Sequence, residues 1–515
     1  MKRPQLVSQG LLNRRVTEAQ AAWKRKDYQA AIEILESANR LAPSTPDILI
    51  ALGQTNAWRY NYEAAGRWFE KALRFTPRKT EMLMTIGELC KNLRNLDLAE
   101  HYFQQVLKQP DATPLACVKL AELYERFRRL PDAAQLVERA LTLDPACPEA
   151  RLAHARLDRL AGRLETAEQE LRALLAKPIP DLGTRVQSWF ELGANLDRQE
   201  KYDDAMTAFL EAKVLLCPKP DPHPAVMEAI SAHLKSTESQ ISAAMLRRWV
   251  ENGPALSPAR RLALLCGHPR SGTTLLEQVL DGHPDIVSAE ETNVFLEDAL
   301  GLLKRNLPPD VPTLPMLEAA TLPALQAGRA GYFRCLELAF GSPFTDRLMI
   351  DKNPGLTSQL PAFVRLLPET KFLVTLRDPR DVVLSCFMQP HRQQTGIEAS
   401  VGMAATVEHY VGMMGHWRAL APLMPVPWLE VRYEDMVADL EPVARKTLDF
   451  LGVPWDDRVL AFHETAQKKI VRSPTFSDVT QPVYQRARGR WRHYQKYLEP
   501  HLARLEPLVK AFGYE

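Results

Sequence analysis

The sequence predicts an α-solenoid followed by an α/β domain that contains a parallel sheet. Prolines that end apolar helical segments recur every 33 to 35 residues between Pro43 and Pro178. From about residue 260, short apolar runs alternate with helical segments, which is typical of parallel strands covered by helices. A glycine-containing stretch, 267–274, follows the first of these runs. We therefore predict a repeat array over 12–218, a helical linker over 219–258 and an α/β domain over 259–515.

Length and composition exclude several classes of protein. A chain of 515 residues is too long for one core, and roughly 150 residues per domain suggests two to four domains. The net charge of +2 does not favour a nucleic-acid partner, so any anion site must be local. Seven scattered cysteines without a C-x-x-C pair favour reduced thiols over disulfides or zinc, and we expect no metal.

The sequence also predicts a cytoplasmic location. The start, Met-Lys-Arg-Pro-Gln-Leu, leads into Asn13-Arg14-Arg15 without an apolar stretch long enough for a signal peptide. No run of about 18 apolar residues occurs, so we expect no membrane span.

The period of the first part is the signature of tetratricopeptide (TPR) repeats, which stack pairs of helices. Small residues needed at close helix crossings recur in register. The first-helix positions are Gly53, Gly87, Ala121, Ala155 and Gly193, and the second-helix positions are Ala31, Ala65, Ala99, Ala133, Ala167 and Ala205. We count six repeats. Their concave groove suits a peptide or protein partner, and a passive scaffold or dimerisation surface is the equal alternative.

The linker begins with a proline-rich break at 218–224 and continues as one or two amphipathic helices from Val226 to Val250. We expect it to dock one part of the chain on the other, and assign it no chemistry.

The stretch 267–274 departs from the nucleotide-binding template G-x-x-x-x-G-K-[ST] at one position. Gly267, Gly272 and Thr274 match, but Thr273 stands in the place of the lysine. Enzymes that use nucleoside triphosphates need that lysine on the β- and γ-phosphates. Without it, backbone N–H groups at a helix start and the charge of Arg270 can still hold one phosphate. A donor that presents one phosphate here fits better than ATP, and 3′-phosphoadenylyl sulfate (PAPS) meets that description.

Three later predicted strands end in polar residues, beginning at Asp351, Arg377 and Arg432. Ligands of open parallel sheets bind beyond the carboxyl ends of the strands, so these residues should converge on the glycine loop. Arg377, with Ser385 two helical turns later, makes a second candidate anion site. Two anion sites match a nucleotide phosphorylated at both its 5′ and 3′ positions. The alternative is a set of surface ion pairs at a helix start.

These stretches resemble PAPS-dependent sulfotransferases. Residues 269–275, Pro-Arg-Ser-Gly-Thr-Thr-Leu, are similar to the loop that binds the 5′-phosphosulfate, and 376–385 are similar to the 3′-phosphate motif. His283-Pro284 followed by Glu290-Glu291-Thr292, and the segment 481–491, resemble tyrosylprotein sulfotransferases in particular. The layout resembles bacterial TPR-containing sulfotransferases, over 260–495 for the catalytic domain and 12–218 for the repeats.

The resemblance implies roles for individual catalytic residues. Glu291 falls on the general base that takes the proton of the acceptor hydroxyl, with its neighbour Glu290 as the alternative. Lys352 falls on the lysine that offsets charge on the bridging oxygen as the S–O bond breaks, assisted by Arg270. Thr475 falls on a serine that stabilises the transition state, and it keeps the hydroxyl donor.

The resemblance also implies a set of donor-binding residues and no metal. The set comprises Arg270, Ser271, Gly272, Thr273, Thr274, Arg377, Ser385, Tyr433 and Arg490.

Two departures from the family pattern bear on specificity. Asn293 replaces an arginine of the Glu-Glu-Thr-Arg phrase, beside the base. Gln389 replaces an arginine of the 3′-phosphate site, where Arg392 is the candidate substitute.

We therefore expect an enzyme that moves a sulfuryl group from PAPS to a hydroxyl or phenol acceptor. A protein tyrosine recruited by the TPR array is one acceptor, and glycan and lipid-linked hydroxyls stay open. The alternatives are a TPR interaction scaffold whose second domain is catalytically secondary, or a kinase-like enzyme built on the same loop.

Overall fold

The first part of the chain is a series of packed helix pairs. The computed structural model describes residues 9–93, 95–217, 223–256, 258–305, 307–308, 311–341, 343–344, 346–390, 402–464 and 485–515. Helices α1 to α12 are Gln9–Lys24, Tyr28–Leu41, Pro46–Trp58, Tyr62–Phe75, Lys79–Asn92, Leu96–Val106, Pro114–Arg126, Leu130–Leu143, Pro148–Leu160, Leu164–Leu175, Leu182–Arg198 and Tyr202–Leu216. Successive helices pack as pairs, and each pair packs on the next.

Small residues let the two helices of a pair approach closely. A Cβ added at Gly193 would lie 2.6 Å from the ring of Phe209 on the second helix of its pair. Gly53 faces Phe69, and Gly87 faces Phe103, in the same way. The second-helix alanines at the predicted positions are all at most 1% exposed. The repeated glycine and alanine positions therefore mark helix crossings, as predicted.

The second part of the chain forms an α/β domain. Helices α13 to α24 are His223–Gln240, Ala243–Glu251, Thr273–Asp281, Leu300–Lys304, Thr313–Ala319, Leu322–Phe340, Leu360–Leu366, Pro379–Phe387, Met403–Leu420, Tyr433–Ala438, Leu440–Leu451 and Gln495–Ala511. Strands β1 to β5 are Leu262–Gly267, Ile286–Glu290, Leu348–Lys352, Lys371–Leu376 and Trp428–Arg432.

The five strands form one parallel sheet in the order β2-β3-β1-β4-β5. Strands β1 and β3 lie inside the sheet and every one of their residues is buried. The register places Glu290 of β2 opposite Lys352 of β3. The predicted fold class, a TPR solenoid followed by an α/β domain with a parallel sheet, is confirmed. Strand β2 is not among the strands that the sequence analysis predicts.

Several polar contacts join the helical array to the α/β domain. Asp197 of α11 pairs with Arg490 at 2.8 Å and accepts a hydrogen bond from the Tyr494 hydroxyl at 2.7 Å. The ring of Tyr202 stacks on His493 with centroids 4.4 Å apart. Between the two parts, the predicted linker helices are α13 and α14, and α13 packs along α21. The array therefore has a defined position on the domain.

Candidate functional site

The glycine loop between β1 and α15 adopts a conformation that its glycines permit. Gly267 has φ +122°, and a Cβ there would lie 2.5 Å from the carbonyl oxygen of Thr375. Gly272 has φ +100°, and its Cβ would lie 2.8 Å from the ring of Tyr433. Arg270 between them also has a positive φ, 73°, which is uncommon for a residue with a side chain and occurs at functional sites.

Hydrogen bonds of buried hydroxyl groups hold this loop in place. The Ser271 hydroxyl donates to the carbonyl oxygen of His268 at 2.6 Å and lies 2.7 Å from the Thr375 hydroxyl. The hydroxyl of Thr357 accepts a hydrogen bond from the Gly267 N–H at 2.8 Å. Because α15 begins at Thr273, followed by Thr274, the N-terminus of this nine-residue helix faces the loop. The loop is thus a rigid, electropositive cradle.

The two predicted anion sites adjoin each other because β1 and β4 are neighbours. Arg270 Nε donates to the Ser385 hydroxyl at 3.0 Å. Arg377 donates to the carbonyl oxygens of Arg270 at 3.1 Å and Ala487 at 2.6 Å, and its guanidinium lies 4.7 Å from the Tyr433 ring centroid. Its Nε is buried and has no hydrogen-bond partner among the described residues. The site therefore holds two linked arginines, one of which keeps an unused donor.

Lys352 lies at the end of β3 with no exposed surface. Its ammonium lies 2.8 Å from Glu291, 3.3 Å from Glu277 and 3.7 Å from Glu290. Burial works against the charge, but these carboxylates together hold the pKa of Lys352 above its ordinary value. Lys352 therefore stays charged at neutral pH.

Glu277 belongs to this cluster, although the sequence analysis does not identify it. It lies on α15, accepts a hydrogen bond from the Ser288 hydroxyl, and its side chain is 1% exposed. Burial raises the pKa of Glu277, Lys352 lowers it and Glu290 raises it further, with the net result a pKa of about 8. One feature of the sequence pointed to it: a glutamate beside Leu276 on the apolar face of the helix that follows the loop.

Glu291 is the most accessible of the three carboxylates. Its side chain is 22% exposed, against 10% for Glu290 and 1% for Glu277. Its backbone has φ +48°, and its N–H donates to the Lys352 carbonyl oxygen at 2.7 Å. This strained conformation, held by the edge of the sheet, turns the carboxylate towards both Lys352 and solvent.

A cavity of about 340 Å³ opens beside Glu290 and Glu291. The α/β domain forms one wall, with residues of 290–298 and 353–359, and the ends of α3 and α5 form the other. We call this space the interface cleft. It places the helical array within reach of the candidate base.

Two of the predicted site residues have other surroundings, and a third is not described. Tyr433 is 8% exposed and packs under Arg377 and Gly272, among core residues. The guanidinium of Arg490 is bound to Asp197 of the array, so its predicted donor contact would depend on that pair. Thr475 lies outside the described residues.

The array brings together a cluster that the sequence analysis does not identify. Ligand atoms of His154, Asp158 and Glu170 lie within 4.8 Å of one another. Arg163 pairs with Asp158, and Arg151 lies 3.6 Å from Glu170. Cations already balance these carboxylates, and the cluster is far from the loop in sequence.

In the described part of the chain, none of the helices has the length and apolarity needed to cross a bilayer.

Comparisons with known proteins follow the same division of the chain. Residues 263–457 match the sequence model of the sulfotransferase family. Residues 16–79 and 91–150 match that of the tetratricopeptide repeat. The chain thus carries a sulfotransferase-family domain preceded by TPR repeats, and the resemblance inferred from the motifs is confirmed.

Three relatives show how far the similarity extends. An uncharacterized protein of Aquifex aeolicus is 26% identical over 349 residues, 64% of this chain and 43% of that protein. The protein-tyrosine sulfotransferase of Drosophila melanogaster is 29% identical over 271 residues, 49% of this chain and 52% of that protein. Protein-tyrosine sulfotransferase 1 of Danio rerio is 27% identical over 271 residues, 49% of this chain and 72% of that protein. The chain spans about half the length of the first two.

Proposed function

We propose that this protein transfers a sulfuryl group from PAPS to a hydroxyl or phenol acceptor. The observation that carries the proposal is the contact of 2.8 Å between Lys352 and Glu291, at the carboxyl edge of the sheet. Lys352 ends β3, Glu291 directly follows the neighbouring strand β2, and α15 contacts both strands. In a transfer reaction, the ammonium of such a pair can act on the donor and the carboxylate can act on the acceptor.

The residues of the loop fit a donor that carries a 5′- and a 3′-phosphate. Side chains at Gly267 and Gly272 would collide with Thr375 and Tyr433, so the loop can keep this conformation only with glycine at both positions. The buried Arg377 Nε lacks a hydrogen-bond partner within the part of the chain that the structure describes, and a phosphate oxygen would satisfy it. Arg270 and Ser385 are joined by a hydrogen bond and would hold the two ends of the same ligand. Ser271, Thr273 and Thr274 complete the proposed donor site.

The donor would supply a sulfuryl group linked through oxygen to its 5′-phosphate. Lys352 and Arg270 would then offset negative charge on the oxygen that leaves with the phosphate. Because the surrounding carboxylates raise its pKa, Lys352 acts as a fixed cation rather than as a proton donor. Glu291 would accept the proton of the acceptor hydroxyl, and its greater exposure favours it over Glu290. Thr475 keeps its proposed role as a hydroxyl donor.

Two further parts of the proposal, the acceptor and the cellular location, rest on separate observations. The names of the Drosophila and Danio relatives support a protein tyrosine as acceptor, with the TPR array as the surface that recruits it. The seven cysteines are free thiols, six of them buried, which supports a cytoplasmic location.

Transfer of ³⁵S from labelled PAPS tests the proposal. We expect the purified protein to label phenolic acceptors, and Glu291→Gln to lower kcat by about 10²–10⁴ because the proton acceptor is lost. Glu290→Gln is the matched control and should retain most of the activity. Calorimetry should show unchanged donor binding in Glu291→Gln.

Two outcomes would contradict this proposal. If the wild-type protein transfers no label to any phenol or alcohol, the proposed sulfotransferase activity is contradicted. Normal cellular function of a Glu291→Gln strain would favour the TPR scaffold instead.

A further inference from the structure

Lys213 is a buried lysine that the TPR array places against the α/β domain. It lies in the last turn of α12 and is 4% exposed. Its ammonium lies 5.5 Å from the ring centroid of Phe190 on α11 and 5.1 Å from that of Phe387 on α20. It also donates to the carbonyl oxygen of Gln389 at 3.2 Å. A cation of the array therefore reaches the end of α20, the helix that carries Ser385.

The ammonium of Lys213 has no carboxylate beside it within the residues that the structure describes. Burial lowers the pKa of Lys213 to about 7, and the thiol of Cys386 opposes this change. Lys352 is also buried, which works against its charge, but its three carboxylates hold its pKa above the ordinary value. A buried ammonium without such partners is costly, so an anion that binds beside Lys213 would stabilise it.

One turn of chain at the end of α20 contacts both the glycine loop and Lys213. At the start of this turn, the Ser385 hydroxyl accepts a hydrogen bond from Arg270 Nε at 3.0 Å. The Cys386 thiol next to it donates to the carbonyl oxygen of the loop residue before Arg270 at 3.5 Å. At the end of the turn, the backbone of Gln389 meets Lys213. The proposed donor site and the ammonium of Lys213 therefore contact the same turn of chain.

The thiol of Cys386 also shows that Lys213 lies near the arginines of the donor site. Burial raises the pKa of this thiol to about 12, while the positive charges of Arg270, Lys213 and Arg377 lower it. Arg270 and Arg377 are the two linked arginines of the proposed donor site. Lys213 therefore adds a cation from the array to this pair.

The side chain of Gln389 brings no charge to the end of α20. The resemblance to sulfotransferases implies an arginine for the 3′-phosphate at this position, and Arg392, the candidate substitute, lies outside the described residues. The ammonium of Lys213 has three donors, and the Gln389 carbonyl oxygen takes one of them. The remaining donors can serve a phosphate oxygen.

We propose that Lys213 is a further donor-binding residue, whose ammonium pairs with the 3′-phosphate of the nucleotide beside Arg377 and Ser385. This inference rests on the proposed function and extends its donor site into the TPR array. The phosphate supplies the negative charge that Lys213 lacks, and the buried surroundings strengthen the attraction. The array then contributes to donor binding as well as to the interface cleft.

Pairing with the 3′-phosphate predicts that Lys213 takes up a proton on binding. At pH 8, a group with a pKa of about 7 is mostly neutral, and a phosphate dianion beside it raises that pKa, so binding takes up as much as about 0.9 proton. The described groups that act on Lys213 keep their charge at this pH. Arg270 and Arg377 are cations throughout, and burial keeps the Cys386 thiol neutral by raising its pKa to about 12.

Calorimetric titration at pH 8, in two buffers of different ionisation enthalpy, measures this proton uptake. The ligands are adenosine 3′,5′-bisphosphate and AMP. Because both carry the 5′-phosphate, proton changes at that end of the site cancel in the difference between them. We expect binding of the bisphosphate to take up as much as about 0.9 proton more than binding of AMP.

Two substitutions of Lys213 separate its charge from its titration. Lys213→Met should reduce the preference for the bisphosphate over AMP by about tenfold, since a charge-assisted contact is lost, and should abolish the additional proton uptake. Lys213→Arg should keep the preference and also abolish the uptake, because arginine is already charged at pH 8. Tyr497→Phe is the matched control: it removes a hydrogen bond to Asp203 of the same helix, α12, and should leave both readouts unchanged.

A purely structural role of Lys213 at the end of α20 predicts a different result. Lys213→Met would then weaken the binding of both nucleotides equally, and this outcome would overturn the inference. It would also be overturned if Arg392→Met lost the preference for the bisphosphate while Lys213→Met kept it. Should Lys213→Met fail to fold, the wild type decides, because equal proton uptake with both nucleotides would contradict pairing with the 3′-phosphate.

The same titrations separate failure of this inference from failure of the proposed function. Equal affinity of the wild type for the two nucleotides would contradict the proposed donor, and this inference with it. A wild type that prefers the bisphosphate, together with a Lys213→Met variant of unchanged preference, would overturn the inference alone and leave the proposed function standing.

Discussion

A lysine without exposed surface keeps its charge only where carboxylates surround it, and Lys352 has three within 4.0 Å. The order of the chain explains how they meet. Lys352 ends β3, Glu290 ends the neighbouring β2, Glu291 follows it, and Glu277 comes from α15 above the same edge. The roles of Lys352 and Glu291 were predicted because both residues fall on motifs that resemble those of sulfotransferases. It did not predict Glu277, whose burial depends on the packing of α15 against β2.

Replacing Lys352 by an uncharged residue should destabilise the folded protein. In Lys352→Met, the buried Glu277 and the partly buried Glu290 and Glu291 lose their common partner, and we expect the free energy of unfolding to fall by about 3–5 kcal/mol. Adding Glu277→Gln should restore part of that loss, because glutamine stays neutral at every pH and cannot become an unpaired buried carboxylate. Urea denaturation of the two variants and of Glu277→Gln alone completes a double-mutant cycle. Additive effects would contradict a direct pair.

The raised pKa of Glu277 predicts a pH dependence of stability. The folded protein keeps a proton on Glu277 over a range in which the unfolded chain, with an ordinary carboxyl pKa, has released it. The contribution of Glu277 to the free energy of unfolding therefore falls as the pH rises, by up to about 1.4 kcal/mol per pH unit between about pH 5 and pH 8.

Glu277→Gln should remove that slope. The free energy of unfolding of the variant minus that of the wild type should become more favourable to the variant as the pH rises through this range. Taking the difference cancels other groups, among them Asp351, whose pKa burial raises to about 7. A difference that is constant with pH would show that Glu277 is ionised in the folded protein.

At the scale of elements, the repeats and most of the sheet follow from local pattern. The period of the prolines and the small residues at fixed positions place the helix pairs, because each crossing needs a residue without bulk. Four strands are predicted because each is a short apolar run that ends in a polar motif. Strand β2 is missed because Ser288 ends its apolar run after two residues, Ile286 and Val287. Its place in the sheet comes from pairing with β3, which local sequence does not show.

A substitution at one repeat glycine tests whether close helix crossings stabilise the array. Gly193→Ala places a Cβ 2.6 Å from the Phe209 ring, and we expect it to destabilise the array by about 1–3 kcal/mol. Gly66→Ala is the matched control, because nothing lies within 4 Å of its Cβ and alanine favours the helix by about 1 kcal/mol. Urea denaturation followed by circular dichroism measures both. Equal effects would contradict tight packing at Gly193.

At the scale of the whole molecule, the sequence predicts the two parts but not how they meet. Trp58 and Asp197 lie inside ordinary repeat helices, and no local pattern marks them as contacts with Glu297 and Arg490. The contacts matter for function because they place the array beside Glu291 and bind a proposed donor residue, Arg490, to α11. The array is thus one wall of the site.

Calorimetric titration with adenosine 3′,5′-bisphosphate and with AMP tests the central claim most directly. The claim is that Arg270, Ser385 and Arg377 hold a nucleotide by two phosphates, and the second phosphate is the difference between these ligands. We expect the bisphosphate to bind at least about tenfold more tightly, since charge-assisted hydrogen bonds are worth about 1.5–3 kcal/mol. Ser385→Ala and Arg377→Met should each reduce that difference. Equal affinity for the two nucleotides would contradict the account.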